Sequence, residues 1–148
     1  MDDASRFITC YGVFDSATTE NTIKALKKGF AEYGIPDEIL TDHGTQFVAA
    51  KSREKTKHKF KEFLKENGVR HILARINHPQ TNGKVERFFG LMEQKLHLFD
   101  SVEEFIYWYN YVKPHMSLNF DELKTPYQAF LRKLPAERVF EYSRGVVV

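Results

Sequence analysis

Two short β-prone stretches with a helix between them constrain this chain more than any other feature. Glu38-Ile39-Leu40-Thr41 is a brief apolar run between the breakers Gly34 and Pro36 on one side and Asp42-His43-Gly44 on the other, and a second run occupies residues 69–74 after Gly68. Between them a Lys-rich stretch leads into a segment with Phe60, Phe63 and Leu64 on one helical face, stopped near Asn67 by Gly68. Strand, helix, strand in that order implies two parallel strands joined by a crossover, because parallel strands cannot be linked by a tight hairpin. Asp42 then stands at the carboxyl end of the first of them.

The remaining segments fill out an α/β pattern. Residues 7–14 are rich in β-branched and aromatic side chains and read as a strand, with Cys10 as a small buried side chain rather than a reactive thiol. Residues 16–19 open a helix carrying Ile23, Leu26 and Phe30 on one face, and Gly34 with Pro36 ends it. Residues 77–83 form a polar loop dense in breakers. From Lys84 onward the spacing predicts a helix with Val85, Phe88 or Phe89, Met92 and Leu96 as its buried stripe. Ser101 and Glu104 pair as a capping box for a helix over 102–112, with Phe105, Trp108, Tyr109 and Val112 on one side. Ile106, Tyr107 and Tyr111 make that helix apolar nearly all round, which suits a second buried face against another subunit or a missing segment. Thr125, Pro126 and Gln128 cap a last helix through Leu131.

At 148 residues the chain suits one compact core. A single cysteine, Cys10, excludes an internal disulfide and any multi-cysteine zinc site. No apolar run approaches the roughly 20 residues needed to cross a bilayer, and the charged start is unlike a signal peptide, so the chain reads as cytoplasmic. The net charge of +2 identifies no partner, but its distribution is uneven. Residues 51–70 hold eight Lys/Arg, among them Lys55, Lys57 and Lys59, against three Glu, a local balance of 8 − 3 = +5. That run is either a solvated helix face or a patch for phosphates.

Two segments carry candidate chemistry: Thr41 to Phe47 (TDHGTQF), with Asp42 after a strand, and His78 to Gly90 (HPQTNGKVERFFG), with Glu86 in the first turn of a helix. Taken singly, an Asp before Gly is most often a turn former and a helical Glu is most often solvated. Taken together and in this order, the D-x-G-x-x-F at Asp42 and the H-P-Q-x-N-G-x-x-E-R ending in Glu86 and Arg87 resemble the integrase core family of retroviral integrases and insertion-sequence transposases. Asp3 to Arg6, Tyr109-Asn110 and Lys124-Thr125-Pro126 extend the likeness over nearly the whole chain.

The resemblance implies an RNase H-like fold, a mixed sheet flanked by helices, with residues 1–115 as the catalytic core and 116–148 as a helical extension. It implies three carboxylates holding two Mg²⁺ or Mn²⁺ ions, with Asp42 matching the second carboxylate and Glu86 the third, for end cleavage and strand transfer on DNA. Hard oxygen ligands suit such ions, which activate the attacking oxygen and stabilise the leaving one. Asn82 and Gly83 can offer backbone amides to phosphate at a helix start, and Lys84 and Arg87 can bond phosphate oxygens, although a capped helix start with solvated cations explains the same four residues. DNA and further copies of the chain are the expected partners.

Departures from the family pattern qualify this expectation. The family's first carboxylate lies on a strand ahead of the turn matched by Asp3 to Arg6, so Asp2 and Asp3 read as turn formers and the core as lacking its first strand. The interval from Asp42 to Glu86 is long, with the excess near residues 51–59, and Gly90 and Glu93 stand where retroviral relatives place lysines. Two functions stay open: a strand-transfer enzyme whose sequence extends upstream, or a mobile-element remnant that only binds nucleic acid weakly. A cellular nuclease on the same fold is a third, less favoured by the Glu86 motif.

Overall fold

The computed structural model describes residues 1–44, 47, 54–74, 83–118 and 123–132, with the side chains of 54–58 outside that description. The chain forms two compact units, Thr9–Gly83 and Met1–Ile8 with Lys84–Val148, and it passes between them after Ile8 and again after Gly83.

In the Thr9–Gly83 unit the crossover expected from the sequence is present. Helix α1 (Thr19–Tyr33) starts at Thr18, whose backbone is extended and whose hydroxyl accepts the Asn21 amide at 3.2 Å, and it ends at Gly34, which takes φ 90° where a Cβ would be strained. Strand β1 (Glu38–Thr41), helix α2 (Glu54–Glu66) and strand β2 (Arg70–Leu73) follow, and β1 pairs with β2 in parallel, Glu38 opposite Arg70 and Thr41 opposite Leu73. Gly68, at φ 69°, lets the chain reverse between α2 and β2, and the Val69 amide reaches the Leu64 carbonyl at 2.9 Å. Phe60, Phe63, Leu64 and Val69 form the buried centre, with Ile23, Leu26 and Phe30 of α1, Ile39 of β1, and Phe47 packed against it. Burial of each such side chain contributes roughly 1.5–3 kcal/mol, so this cluster is what holds two four-residue strands beside two helices.

The period-2 geometry of β1 and β2 gives the sheet two faces. One carries Ile39, Thr41 and His71, and the His71 ring meets Phe60 edge-on at 5.2 Å. The other carries Glu38, Leu40, Arg70 and Ile72, with an ion pair between Arg70 and Glu38 and with Leu40 exposed.

The second unit is helical. Helix α3 (Gly83–Lys95) runs into a 3-10 turn, Leu96–Leu98, and α4 (Val102–Tyr107) opens on Ser101, whose hydroxyl accepts the Glu104 amide at 3.1 Å. The reciprocal bond expected of a capping box goes one residue further back, from the Asp100 amide to the Glu104 carboxylate at 2.8 Å. Helix α4 does not continue as α to 112. Trp108–Val112 is a π-helical turn, and its larger number of residues per turn brings Tyr109 and Asn110 inward in succession while Val112 is left exposed, contrary to the expected stripe. Helix α5 (Pro126–Leu131) carries the full capping box between Thr125 and Gln128.

Aromatic side chains make this unit's core. Phe7 stacks on Phe130 at 4.8 Å between ring centres, and Phe88 sits edge-on to Tyr109 at 5.0 Å and beside Phe105. Phe88 is therefore the buried one of the Phe88-Phe89 pair, while Phe89 and Val85 are exposed.

The expected strand over residues 7–14 is not one. A strand exists only where a neighbour completes its ladder, and here the amide and carbonyl of Ile8 are both taken by the Asn110 side chain, at 2.9 and 3.1 Å. Cys10 is half-buried against α1. Among the described residues no helix is long and apolar enough to cross a membrane.

Candidate active site

Asp42 follows β1 directly, with its side chain exposed at the strand's carboxyl end. Its Oδ1 accepts the Gly44 amide at 2.8 Å, an Asx turn that fixes the carboxylate relative to the backbone. The backbone beneath is tied down from three sides. The Ala74 amide donates to the Thr41 carbonyl at 2.8 Å, carrying the β1–β2 ladder one step beyond the strands. The Ala74 carbonyl accepts from His43 Nε2 at 2.8 Å, and the Gly44 carbonyl accepts from the Phe47 amide at 2.9 Å, with the Phe47 ring edge-on to buried Phe60.

Thr41 supplies the remaining bonds. Its hydroxyl donates to the Asp42 carbonyl at 3.0 Å and lies 2.8 Å from His71 Nε2. A hydroxyl has one hydrogen, so His71 must be the donor of that second bond, which sets its proton on Nε2. Burial, and then the charge of Lys61, push the His71 pKa down and favour the neutral ring. The sequence reading singled out Asp42 but missed His43, Thr41 and His71. His43 stands at the variable place of the D-x-G-x-x-F motif, and His71 is 30 residues from Thr41, where only strand register could have paired them.

Glu86 lies in the first turn of α3, in the other unit. It is two residues before Phe88, about 200° around the helix, so burying Phe88 directs Glu86 to solvent. No hydrogen bond or ion pair engages its carboxylate among the described residues. Arg87, beside it, is exposed. Lys84 is differently placed: its ammonium bonds both carboxylate oxygens of Asp3 at 2.7 Å and the Asp3 carbonyl at 3.1 Å. Asp2 is a turn former as expected, its carboxylate accepting the Ser5 amide at 2.7 Å and the Ser5 hydroxyl at 2.5 Å.

Of the other candidate contacts, Gly83 is the first residue of α3, and Lys59 is exposed and paired with Glu20 at 2.9 Å. Asn82, with the loop over 77–82, and the side chains of Lys55 and Lys57 lie outside the described residues. Among the described residues there is no group of three or more His, Cys, Asp or Glu side chains placed to hold a metal ion. The two exposed carboxylates still have the donor chemistry a hard divalent cation takes: oxygen ligands, one of them pre-oriented by a backbone amide.

Comparison with known proteins settles the class. The family model for the integrase core domain matches residues 1–79, more than half of the chain, and a second model of the same description matches residues 67–121. The chain belongs to the integrase core domain family. It is similar to an uncharacterised protein of Archaeoglobus fulgidus, at 45% identity over 118 residues, covering 80% of this chain and 94% of that one. It is also similar to the ORF3 protein of Spiroplasma virus SpV1-C74, provisionally named an integrase, at 31% identity over 90% of this chain and 41% of that one. Among solved structures, a simian T-cell lymphotropic virus intasome in complex with the PP2A regulatory subunit B56 gamma superposes with a TM-score of 0.63 at 20% identity, covering 83% of this chain and 43% of that one. The fold is thus RNase H-like, and the chain spans about two-fifths of the length of the viral ORF3 protein and of the intasome chain.

Proposed function

We propose that this chain takes part in DDE-type polynucleotidyl transfer, the cutting and joining of mobile-element DNA ends, with Asp42 and Glu86 as two of the three metal-binding carboxylates. The observation that carries the reading is Asp42: a solvent-facing carboxylate at the end of a parallel strand, oriented by the Gly44 amide on backbone that His43, Ala74 and Phe47 hold in place. An exposed Asp serving only as a turn former needs no such support. Integrase core proteins generally depend on divalent metal, and the ions bound there supply activation of the attacking oxygen and stabilisation of the leaving one. Asp42 brings an anionic oxygen ligand that is already oriented, so little ordering entropy remains to oppose metal binding. Glu86 brings a second from the first turn of α3. The first carboxylate is assigned to neither Asp2, which closes a turn with Ser5, nor Asp3, which is paired with Lys84. Residues 1–115 then make up the catalytic core and 116–148 its helical extension, with DNA and further copies of the chain as partners.

The test is Mg²⁺-dependent joining of terminal-repeat DNA to a target plasmid. Asp42→Asn and Glu86→Gln each lower the rate at least about a hundredfold, because each removes a ligand on which the transition-state charge depends, while circular dichroism stays unchanged. Activity that survives both substitutions refutes the assignment. A chain that binds DNA but joins nothing supports the second reading, a remnant with nucleic-acid binding alone.

A further inference from the structure

Arg6 occupies a backbone conformation that its side chain does not favour. Its φ is 66°, in the left-handed region where residues with a Cβ are uncommon, and two turn bonds hold it there: the Arg6 amide to the Asp2 carbonyl at 3.0 Å, and the Asp2 amide to the Phe7 carbonyl at 2.8 Å. The result is a guanidinium whose Nη1 is fully buried and has no hydrogen-bond acceptor among the described residues. A buried cationic donor without a partner is among the more costly defects a fold can hold, so its persistence asks for an occupant.

Other cations of the same unit gather at the same place. His115, half-buried and edge-on to Tyr109 at 6.1 Å, has its pKa driven down by burial first, and then by Lys113, Arg6 and Arg87; no carboxylate acts on it from the opposite direction. Tyr109, buried in the core, is close enough to Arg6 to feel its charge as well, although burial dominates and pushes the hydroxyl up to about 12. Burial also lowers the pKa of Lys113, whose ammonium donates to the Pro114 carbonyl at 3.2 Å. By contrast the other basic residue at the start of α3, Lys84, already has its anion in Asp3. The charges of three cations drawn from three segments of the chain, Arg6, Arg87 and Lys113, therefore act together on His115.

We propose that Arg6, Arg87, Lys113 and His115 form a subsite that binds one backbone phosphate of the DNA substrate. It rests on the reading that DNA is the partner, and to Arg87 it adds Arg6, Lys113 and His115, which no motif had marked for contact. The donor set fits: guanidinium and ammonium groups offer hydrogen bonds and accept none, which matches an oxygen-rich anion with no donors of its own. Arg87 ties the subsite to the reacting end of the molecule, since it adjoins Glu86 in the first turns of α3. A phosphate held there fixes the strand's position without reading its sequence.

Binding of labelled duplex DNA is measured by fluorescence anisotropy in EDTA over a range of salt, which separates contact from metal-dependent chemistry. Arg6→Gln and Lys113→Gln each weaken binding roughly three- to tenfold, and each flattens the slope of log affinity against log salt by about one. The double variant flattens it by about one again rather than two, because both residues serve one phosphate. Lys113→Gln keeps the test open should Arg6→Gln fold poorly. Unchanged affinity and slope in both variants overturn the subsite and leave the catalytic reading standing. So does a salt-dependent fall in melting temperature with DNA binding intact, which identifies the occupant as an anionic group of the chain itself. A wild-type chain that binds no DNA at all overturns the partner on which both proposals rest.

Discussion

Asn110 shows how much one side chain can organise. Its amide bonds both polar groups of Ile8, Oδ1 accepting the Ile8 amide at 2.9 Å and Nδ2 donating to the Ile8 carbonyl at 3.1 Å, as an adjacent strand would. Residue 110 is 2% exposed, so water cannot replace either bond. Asn110→Ala leaves an amide and a carbonyl buried and unpaired, at about 1–3 kcal/mol each, and the expected loss of stability by chemical denaturation is about 2–4 kcal/mol. Asn110→Asp keeps the acceptor but sets a carboxylate oxygen against the Ile8 carbonyl, so it does not rescue. A loss below about 1 kcal/mol in the alanine variant would mean the tether is dispensable. From the sequence, Asn110 was visible as part of a family segment but its work was not, because the partner lies 102 residues away and is backbone.

Among the elements, those with local signals were legible and those with distant causes were not. Helices α1, α2 and α5 follow from spacing, caps and stops within their own residues, and β1 and β2 from short apolar runs between breakers. Residues 7–14 have strand composition but no ladder, since pairing is a property of the neighbour and not of the segment. The π turn at Trp108–Val112 was equally hidden: helical periodicity assumes one pitch, and the switch here is tied to the inward turn of Asn110. Of the candidate site, the two proposed carboxylates stand out in motif and placement, whereas the support under Asp42 needed the register of Thr41 with Leu73 and its neighbours. The packing of α1 gives a test at this scale. A Cβ at Gly29 would lie 2.6 Å from that of Cys10 and 2.9 Å from the Thr9 carbonyl oxygen, and a backbone oxygen cannot move as the end of a long side chain can. Gly29→Ala therefore destabilises by roughly 1–3 kcal/mol despite alanine's higher helix propensity. A melting temperature at or above that of the wild type would show that residues 9–10 are free to shift away from α1.

At the scale of the whole molecule, the proposed carboxylates belong to different units: Asp42 to Thr9–Gly83 and Glu86 to the helical one. If both serve the same metal ions, binding those ions couples the stability of the two units, and the coupling can be measured without any DNA. A ligand that binds only the folded state stabilises by RT ln(1 + [L]/Kd), about 2.7 kcal/mol at a hundred times Kd, which for a chain of this size raises the melting temperature by roughly 5–11 °C. Mn²⁺ added to the metal-free wild type should give a rise of that order, and EDTA should reverse it. Asp42→Asn and Glu86→Gln should each remove most of the rise, and the double variant should remove little more than either, because two ligands of one site are not independent. Metal-free melting temperatures should stay near the wild-type value, since both side chains are exposed and neither forms an ion pair among the described residues. If the two losses instead add, each carboxylate binds its own ion, and the strand tip and the helix start do not act as one centre.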